Sequence, residues 1–339
     1  MKKKRILTLV HKDLVPPEKP GGVDVENAPW KTEYQVVSTL KRHGHDVRVL
    51  GVYDDLGPIK QTIDDFNPHI AFNLLEEFHG EALFDQNVVS YLELKKLPYT
   101  GCGPRGLMIA RDKALTKKIL SFHRLGVPDF QVFPKGSSIK KRKNLAYPLI
   151  VKSLTEESST GISQASIVRD DDKLAERVRF IYDSVGTDAI VERYIEGREL
   201  YVGVMGNDRL MCFPIWEMVF RNTPDNFDPI ATSKVKWNPD YRKKYGITTR
   251  QAKSLTEEEC ASIHKFCKRV YKLLGLNGYA RLDFRLDSSG KPFLIEANPN
   301  PDISRYEDFA YSGEKMGLSY IDILNRIINL GLNRKVIDF

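Results

Sequence analysis

The sequence of 339 residues has few cysteines and no long apolar run, and each absence excludes a class of protein. Its four cysteines show no zinc-type Cys-x-x-Cys spacing, and so few scattered thiols are typical of a reducing cytosol. No apolar segment approaches the length that crosses a bilayer. A P-loop motif, Gly-x-x-x-x-Gly-Lys-Ser/Thr, does not occur. We therefore expect a cytoplasmic protein without a membrane partner or a P-loop nucleotide site.

The charge of the chain is moderate and says little by itself. The formal net charge is +7, with 29% charged and 41% hydrophobic residues, which is ordinary for a globular protein. A positive balance favours polyanionic ligands, but lysines and arginines are not interleaved with aromatics as single-strand binders require. We prefer a basic surface without function and expect no nucleic-acid partner. The length allows two or three compact units.

The first hundred residues alternate predicted strands and helices. Basic residues 1–5 precede the apolar run Ile6–Val10, which is too short for a signal-peptide core and fits a buried strand. A helix over Thr32–Gly44 and strands over Val47–Val52 and Ile70–Asn73 follow. This alternation indicates a parallel α/β sheet, whose ligands bind at the carboxyl ends of the strands.

An acidic cluster follows the third predicted strand. It consists of Glu76, Glu77, Glu81 and Asp85, with His79 among them. A carboxylate-rich loop at the end of a parallel strand suits a cationic or amine-bearing substrate, and a solvated loop without a ligand explains the same residues. Both interpretations stay open at the level of sequence.

The segment 280–304 carries the strongest chemical signal. Apolar residues at 282, 284 and 286 alternate with Arg281, Asp283 and Arg285, and a turn at Ser-Ser-Gly-Lys leads to a second run with Glu296 and Asn298 on one face. If the polar faces align, three side-chain oxygens converge as a hard anionic cluster suited to Mg²⁺ and nucleotide phosphates. The alternative is an amphipathic hairpin with solvated charges, and the cross-strand register is not fixed by the sequence.

The run Arg281-Leu-Asp283, followed by Leu-Ile-Glu296-Ala-Asn298-Pro, resembles the metal-binding end of ATP-grasp enzymes, specifically the D-alanine–D-alanine ligase branch. The resemblance implies that Asp283, Glu296 and Asn298 bind two Mg²⁺ ions, or Mn²⁺, on ATP. It also implies that Arg281 stabilises an oxyanion during catalysis.

The resemblance implies an α/β fold with α+β elements, in three domains. These are an N-terminal parallel α/β domain over 1–101, a central domain over 102–190, and a C-terminal domain over 191–339 that carries the metal site. The second and third domains would enclose ATP between them.

Further matches to the family assign nucleotide-binding residues. Lys113, in an Asp-Lys-x-x-x-Lys run, and Lys152, at the end of a strand, would contact the phosphates. The Ser-rich loop at 158–163 would cover them, with Ser158 in a catalytic role and Ser159 as a cofactor contact.

The run Val-Glu192-Arg-Tyr-Ile-Glu-Gly resembles the family's hinge strand. It implies that Glu192 and the backbone of Arg193, Tyr194 and Ile195 contact the adenine, and that Glu199 accepts from the ribose hydroxyls. The polar segment 222–246 resembles a mobile lid, in which Lys236 is the first choice for contact with the γ-phosphate and for catalysis, and Lys234 is the second.

Two departures from typical D-alanine ligases bear on the substrate. The early Gly-Gly-x-Ser-x-Glu motif is only distantly matched by residues 21–26, and Asp302 stands near the position of a family glycine. We therefore expect a carboxylate–amine ligase that acts through an acyl phosphate on a small-molecule carboxylate and amine, a pair other than D-alanine with itself. A homodimer is implied by the family alone. A small-molecule kinase of the same fold and a nucleotide-binding regulator without turnover are the alternatives.

Overall fold

The computed structural model describes residues 2–156 and 161–334, which form three β-sheets with helices packed around them. This mixed architecture, a parallel sheet followed by antiparallel ones, confirms the predicted fold class. No helix in the described ranges is long and apolar enough to span a bilayer.

The N-terminal sheet is parallel, in the order β2-β1-β3. The predicted strands and the first helix are confirmed with ends shifted by one or two residues. Its strands are β1 (Arg5–His11), β2 (Asp46–Val52) and β3 (Ile70–Asn73), and its helices are α1 (Lys31–Arg42), α2 (Gly57–Phe66) and α3 (Asp85–Leu94). Ile6–Val10 is buried throughout, because helices and later parts of the chain cover both faces of a central parallel strand.

Two helices lead into a four-stranded antiparallel sheet with the order β4-β7-β5-β6. The elements are α4 (Pro104–Arg111), α5 (Lys113–Phe122), β4 (Phe130–Phe133), β5 (Leu149–Ser153), β6 (Ile167–Val168), α6 (Asp171–Phe180) and β7 (Ala189–Arg193). Every residue of β5 is buried, and α6 packs its apolar side against this sheet.

The third sheet has six strands, in the order β11-β10-β8-β12-β13 with β9 paired to β8. Its strands are β8 (Arg198–Met205), β9 (Met211–Cys212), β10 (Trp216–Val219), β11 (Thr248–Gln251), β12 (Tyr279–Leu286) and β13 (Pro292–Pro299). The accompanying helices are α7 (Ser233–Trp237), α8 (Pro239–Lys244), α9 (Glu257–Leu273), α10 (Asp308–Glu314) and α11 (Tyr320–Leu332). The sequence Thr256-Glu-Glu-Glu259 predicts a capping box at the start of α9. The structure confirms it, since the side chains of Thr256 and Glu259 each accept the other's backbone N–H.

The N-terminal sheet and the six-stranded sheet share their hydrophobic packing. Ile6 and Phe72 of the parallel sheet join Tyr279 and the buried side of α11 in one apolar cluster. The strands of the three sheets lie within 5–73, 130–193 and 198–299. The division at 101 and 190 stays a prediction, and β7 crosses its second boundary. Residues of all three sheets line one cavity.

Candidate active site

A cavity of about 1330 Å³ lies where the three sheets meet. It exceeds the roughly 300–1,000 Å³ of ordinary ligand pockets, so it has room for a nucleotide and further substrates. The predicted site residues that line it are Lys113, Lys152, Glu192, Arg193, Tyr194, Ile195, Glu199, Lys236, Arg281, Asp283, Glu296 and Asn298. Residues as far apart in the chain as Lys113 and Asn298 thus line the same cavity.

The hairpin of β12 and β13 brings the three predicted oxygen donors together. Asp283 lies opposite Glu296, and Arg281 lies opposite Asn298. Asn298 Nδ2 donates to Asp283 Oδ2 at 3.0 Å, and Arg281 donates from Nε and Nη2 to the two Asp283 oxygens at 2.8 and 2.9 Å. A register shift directly after Asp283 ends the regular pairing. The polar faces of the two strands therefore align, as the first of the two sequence interpretations requires.

Arg281 and Asp283 form a bidentate pair with a further carboxylate beyond it. Asp308 Oδ2 lies 3.9 Å from Arg281 Nη1. Burial alone lowers the pKa of Arg281, but the Asp283 and Asp308 carboxylates outweigh it and raise that pKa. The guanidinium is therefore permanently charged beside the oxygen donors. Asp308 was not predicted from the sequence, because it comes close to Arg281 only through the packing of α10 against the sheet.

Glu296 is held as an anion by lysines. Lys113 Nζ lies 3.1 Å from Glu296 Oε1 and also donates to the backbone carbonyl of Glu156 at 2.6 Å. Burial works to raise the pKa of Glu296, but Lys113, Lys236 and Lys152 lower it to about 2. Glu296 is therefore ionised throughout the neutral range.

The chemistry of the donor set fits magnesium. Two carboxylates and one amide oxygen are hard ligands, and Mg²⁺ takes few protein ligands when phosphates and waters complete its shell. In the parts of the chain that the structure describes, no three His, Cys, Asp or Glu side chains cluster in a way that holds a metal ion. Such a site therefore depends on the Asn298 amide and on ligands from a nucleotide.

Two lysines and one glutamate form a buried group beneath the cavity wall. Lys152 Nζ lies 3.0 Å from Glu192 Oε2, and Lys117 Nζ lies 3.2 Å from Glu192 Oε1. The side chains of Glu192 and Lys117 are 0% exposed. Burial opposes ionisation of Glu192, but the two lysines outweigh it and lower its pKa. The contact with adenine predicted for Glu192 stays a prediction, because its carboxylate contacts lysines here.

Lys117 was not among the predicted site residues. Its ammonium also donates to the carbonyl of Ile295 at 2.9 Å, next to Glu296. The spacing from Lys113, one turn of α5, was the available signal, since residues four apart share a helix face.

The segment after β7 borders an apolar slot. Tyr194 packs with Ile150, Ile167 and Ile230, and all of these except Ile167 line the cavity. The N–H groups of Arg193 and Tyr194 donate to the carbonyls of Asp129 and Pro148, directly before β4 and β5, at 2.8 and 2.9 Å. An apolar slot beside a strand end has the shape and polarity for a planar base.

Glu199 is engaged at both oxygens. Arg285 Nη1 donates to Oε2 at 2.9 Å, and the Tyr201 hydroxyl donates to Oε1 at 2.8 Å. Each carboxylate oxygen can accept a second hydrogen bond, so the predicted contact with ribose hydroxyls stays a prediction.

The predicted lid lysines differ in position. Lys236 lines the cavity, whereas Lys234 is exposed and is not among its lining residues. Both lie on α7, which begins with the Thr232 hydroxyl accepting the N–H of Val235. Ser158 and Ser159 fall outside the described residues, and their predicted roles stay predictions.

The acidic cluster predicted after β3 divides into two parts. Asp85 is buried and pairs with Arg111 at 2.6 Å. Glu76 and Glu77 line the cavity, and Glu77 Oε1 lies 3.2 Å from Nε2 of His11. Asp85, Glu76 and Glu77 thus all line the cavity, whereas His79 and Glu81 are not among its lining residues.

The chain is similar to known proteins in sequence and in fold. Residues 119–329 match the family model described as D-ala D-ala ligase C-terminus. The D-alanine–D-alanine ligase of Pelotomaculum thermopropionicum is 28% identical over 315 residues, covering 89% of this chain and 91% of that protein. The uncharacterized protein y4sG of Sinorhizobium fredii is 28% identical over 317 residues, with 90% of each covered. The crystal structure of D-alanine–D-alanine ligase from Bacillus anthracis complexed with ATP has a TM-score of 0.74 and 21% identity, covering 97% of both chains.

Proposed function

Because the chain belongs to the D-ala D-ala ligase C-terminus family, we propose that it is an ATP-dependent ligase that joins a carboxylate to an amine. The observation that carries the proposal is the pairing of Asp283 with Glu296 across β12 and β13. Asn298 and Lys113 lie in contact with this pair, in the wall of a cavity large enough for ATP and two substrates.

Each part of the nucleotide has a group in the cavity that suits it. The apolar slot beside Tyr194 would take the base, with backbone groups of residues 193–195, and Glu199 would accept from the ribose. Lys113, Lys152 and Lys236 would contact the phosphates and offset their charge. Ser158 and Ser159 would cover them.

Asp283, Glu296 and Asn298 would hold magnesium, as two ions or with Mn²⁺ in its place. Bound there, the metal neutralises phosphate charge and acts as a Lewis acid. Lys113 and Arg281 already lie against the same carboxylates, so the protein supplies part of this neutralisation itself.

The reaction is an acyl transfer in two steps. An oxygen of the substrate carboxylate attacks the γ-phosphorus, the bond to ADP breaks, and an acyl phosphate forms. The amine nitrogen then attacks the acyl carbon, phosphate leaves with the bonding electrons, and the nitrogen loses a proton. Arg281 would stabilise the tetrahedral oxyanion, and closure of segment 222–246 would exclude water that hydrolyses the acyl phosphate.

The substrates would differ from a pair of D-alanines. Asp302 lines the cavity four residues after Asn298, and a carboxylate there repels an incoming carboxylate and orients an amine. The N-terminal wall also lacks the family's Gly-Gly-x-Ser-x-Glu run.

The test is ADP release from ATP and Mg²⁺ with a panel of amino acids and dipeptides, coupled to mass spectrometry of the products. An amide product with ADP in equal amount is expected. ADP with a stable phosphoester would identify a kinase instead, and ATP binding without turnover over the whole panel would favour a regulator.

Asp283→Ala and Glu296→Ala should abolish ATP consumption while leaving the fold intact. Asp172→Ala, at an exposed position of α6, is the matched control and should keep full activity. Unchanged ATP consumption in folded Asp283→Ala protein would refute the assigned site.

Three further features belong to the proposal. They are the domain division at 101 and 190, a homodimer, and a reducing, cytoplasmic location. The last is supported by the four cysteines, all of which are unpaired thiols.

A further inference from the structure

The end of the cavity under α1 is lined by carboxylates, which we call the acidic wall: Glu26, Glu33, Glu76, Asp302 and Glu307. Lys31 Nζ lies 3.4 Å from Glu26 Oε2 and 3.5 Å from Glu307 Oε1, so one lysine forms ion pairs with two of these carboxylates. Glu26 also accepts from Gln35 Nε2 at 3.0 Å.

Asp302 is held in place by neutral donors. Its Oδ1 accepts from the Thr32 hydroxyl at 3.0 Å and from the N–H of Ser304 at 2.7 Å. These bonds tie the loop after β13 to the first turn of α1. They fix the Asp302 carboxylate beside Glu33 without neutralising its charge.

Glu33 differs from the rest of the acidic wall. Its side chain lies in the first turn of α1 and is 5% exposed. Its Oε2 is buried and has no hydrogen-bond partner among the described residues. Burial raises the pKa of Glu33 to about 7, and the carboxylates of Glu76 and Asp302 contribute to the rise. A buried carboxylate oxygen without a partner is costly, so its retention at a cavity wall points to a partner that arrives with the substrate.

The carboxylates of the acidic wall indicate that the substrate group that binds Glu33 is positively charged. A neutral amino acid is a zwitterion and brings no net charge, because its ammonium and carboxylate cancel. A substrate with an additional ammonium or guanidinium group brings a net positive charge and donors suited to carboxylates. Such a group would satisfy Glu33 Oε2 and offset the repulsion between Glu33 and Asp302.

We propose that Glu33, together with Asp302, binds a positively charged side-chain group of the substrate, so that this ligase uses a basic amino acid or a related diamine. The proposal rests on the proposed ligase function and names the class of substrate that the acidic wall would bind. Glu33 is thereby a specificity-determining residue, distinct from the groups that contact the nucleotide.

The experiment compares two substrates that differ in one terminal amino group, lysine and norleucine, each as both enantiomers. Wild-type protein with ATP and Mg²⁺ should show a kcat/KM for lysine at least about tenfold above that for norleucine, the effect of one charged hydrogen bond. Glu33→Gln should bring the ratio close to one, mainly through a higher KM for lysine. Glu176→Gln, at an exposed position of α6, is the matched control and should keep the wild-type ratio.

Thermal stability separates a recognition role from a structural one. If the role of Glu33 is to bind a ligand, Glu33→Gln removes a buried charge that, within the part of the chain that the structure describes, has no counter-charge. The substitution should then raise the Tm of the unliganded protein. Lysine, added with ADP and Mg²⁺, should raise the Tm of the wild type more than norleucine does, and this difference should vanish in Glu33→Gln.

The outcomes distinguish the two proposals. ADP release with neutral substrates only, or equal kcat/KM for lysine and norleucine, would overturn the role of Glu33 and leave the ligase assignment intact. No ADP release with any substrate would reject the ligase assignment, and the Tm comparison would still decide whether the wall binds a basic group. A lower Tm for Glu33→Gln with an unchanged substrate ratio would show that Glu33 is purely structural.

Discussion

The buried group of Glu192, Lys117 and Lys152 gives the sharpest test of the electrostatics of this fold. Replacing Glu192 with Gln keeps the shape of the side chain and leaves two buried ammonium groups without their counter-ion. Their contacts with Glu192 are 3.2 and 3.0 Å, and neither lysine is more than 7% exposed. Removing one partner of a buried ion pair costs about 3–5 kcal/mol, so Glu192→Gln should lower the free energy of unfolding by about that amount.

The matched control is the same substitution in an exposed pair. Lys173 Nζ lies 2.8 Å from Glu176 Oε2, with both side chains more than 60% exposed. Such pairs contribute about 0.2–1 kcal/mol, because water and salt screen them. In urea unfolding at pH 7, the loss of free energy of unfolding should therefore be several times larger for Glu192→Gln than for Glu176→Gln. Hydrogen exchange of the β5 and β7 amides should show that this loss lies in the four-stranded sheet.

The pH dependence of the free energy of unfolding tests whether the charge of Glu192 causes this stabilisation. The folded-state pKa of Glu192 is lowered, so its stabilisation is complete above the unfolded pKa of about 4.3 and is lost as pH falls through the folded value. The difference between wild type and Glu192→Gln should be constant from about pH 6 to 8 and shrink in acid. A variant that loses no more stability than Glu176→Gln, or a difference that persists unchanged into acid, would refute the argument.

Three further outcomes are expected. Lys236→Ala should raise the KM for ATP and lower kcat, while Lys234→Ala, exposed on the same helix, should change neither; equal effects in steady-state assays would contradict the assignment. Asp302→Gly should change which amine is accepted, measured on the substrate panel, and an unchanged preference would remove Asp302 from substrate recognition. Thr256→Ala should lower the free energy of unfolding by about 1 kcal/mol without affecting turnover, since it breaks a capping box remote from the cavity. A loss of activity there would show that α9 is coupled to the site.

Features that depend on neighbours in sequence could be predicted. The alternation around Asp283 and the turn before β13 gave the hairpin, and the Thr256–Glu259 spacing gave the start of α9. The register could not be read from the sequence, because β12 pairs with two strands, regularly with β8 but with a shift after Asp283 in its pairing with β13. The Glu192 pairing with Lys117 spans 75 positions and leaves no local signal.

The burial of Glu33 is likewise a feature that the local sequence could not predict. In the sequence it is an acidic residue in the first turn of a helix, where such residues are common and usually solvated. It is buried because the loop after β13 folds over α1, through the Thr32–Asp302 bond and a bond from the N–H of Arg305 to Gln35 at 2.6 Å. These contacts join residues about 270 positions apart, and no periodicity in either segment reports them.

The cavity therefore has two ends that differ in how their charges are balanced. At the hairpin end, Asp283 contacts Arg281 and Glu296 contacts Lys113, so each carboxylate has a counter-charge from the protein before any ligand binds. At the α1 end, Glu33 has a raised pKa and a carboxylate oxygen that finds no hydrogen-bond partner within residues 2–156 and 161–334. Because a buried charge is stable only with a counter-charge, the first end is prepared by the protein, and the second is completed by what it binds. This difference explains why family membership identifies the nucleotide chemistry, whereas the choice of substrate has to be sought in the acidic wall.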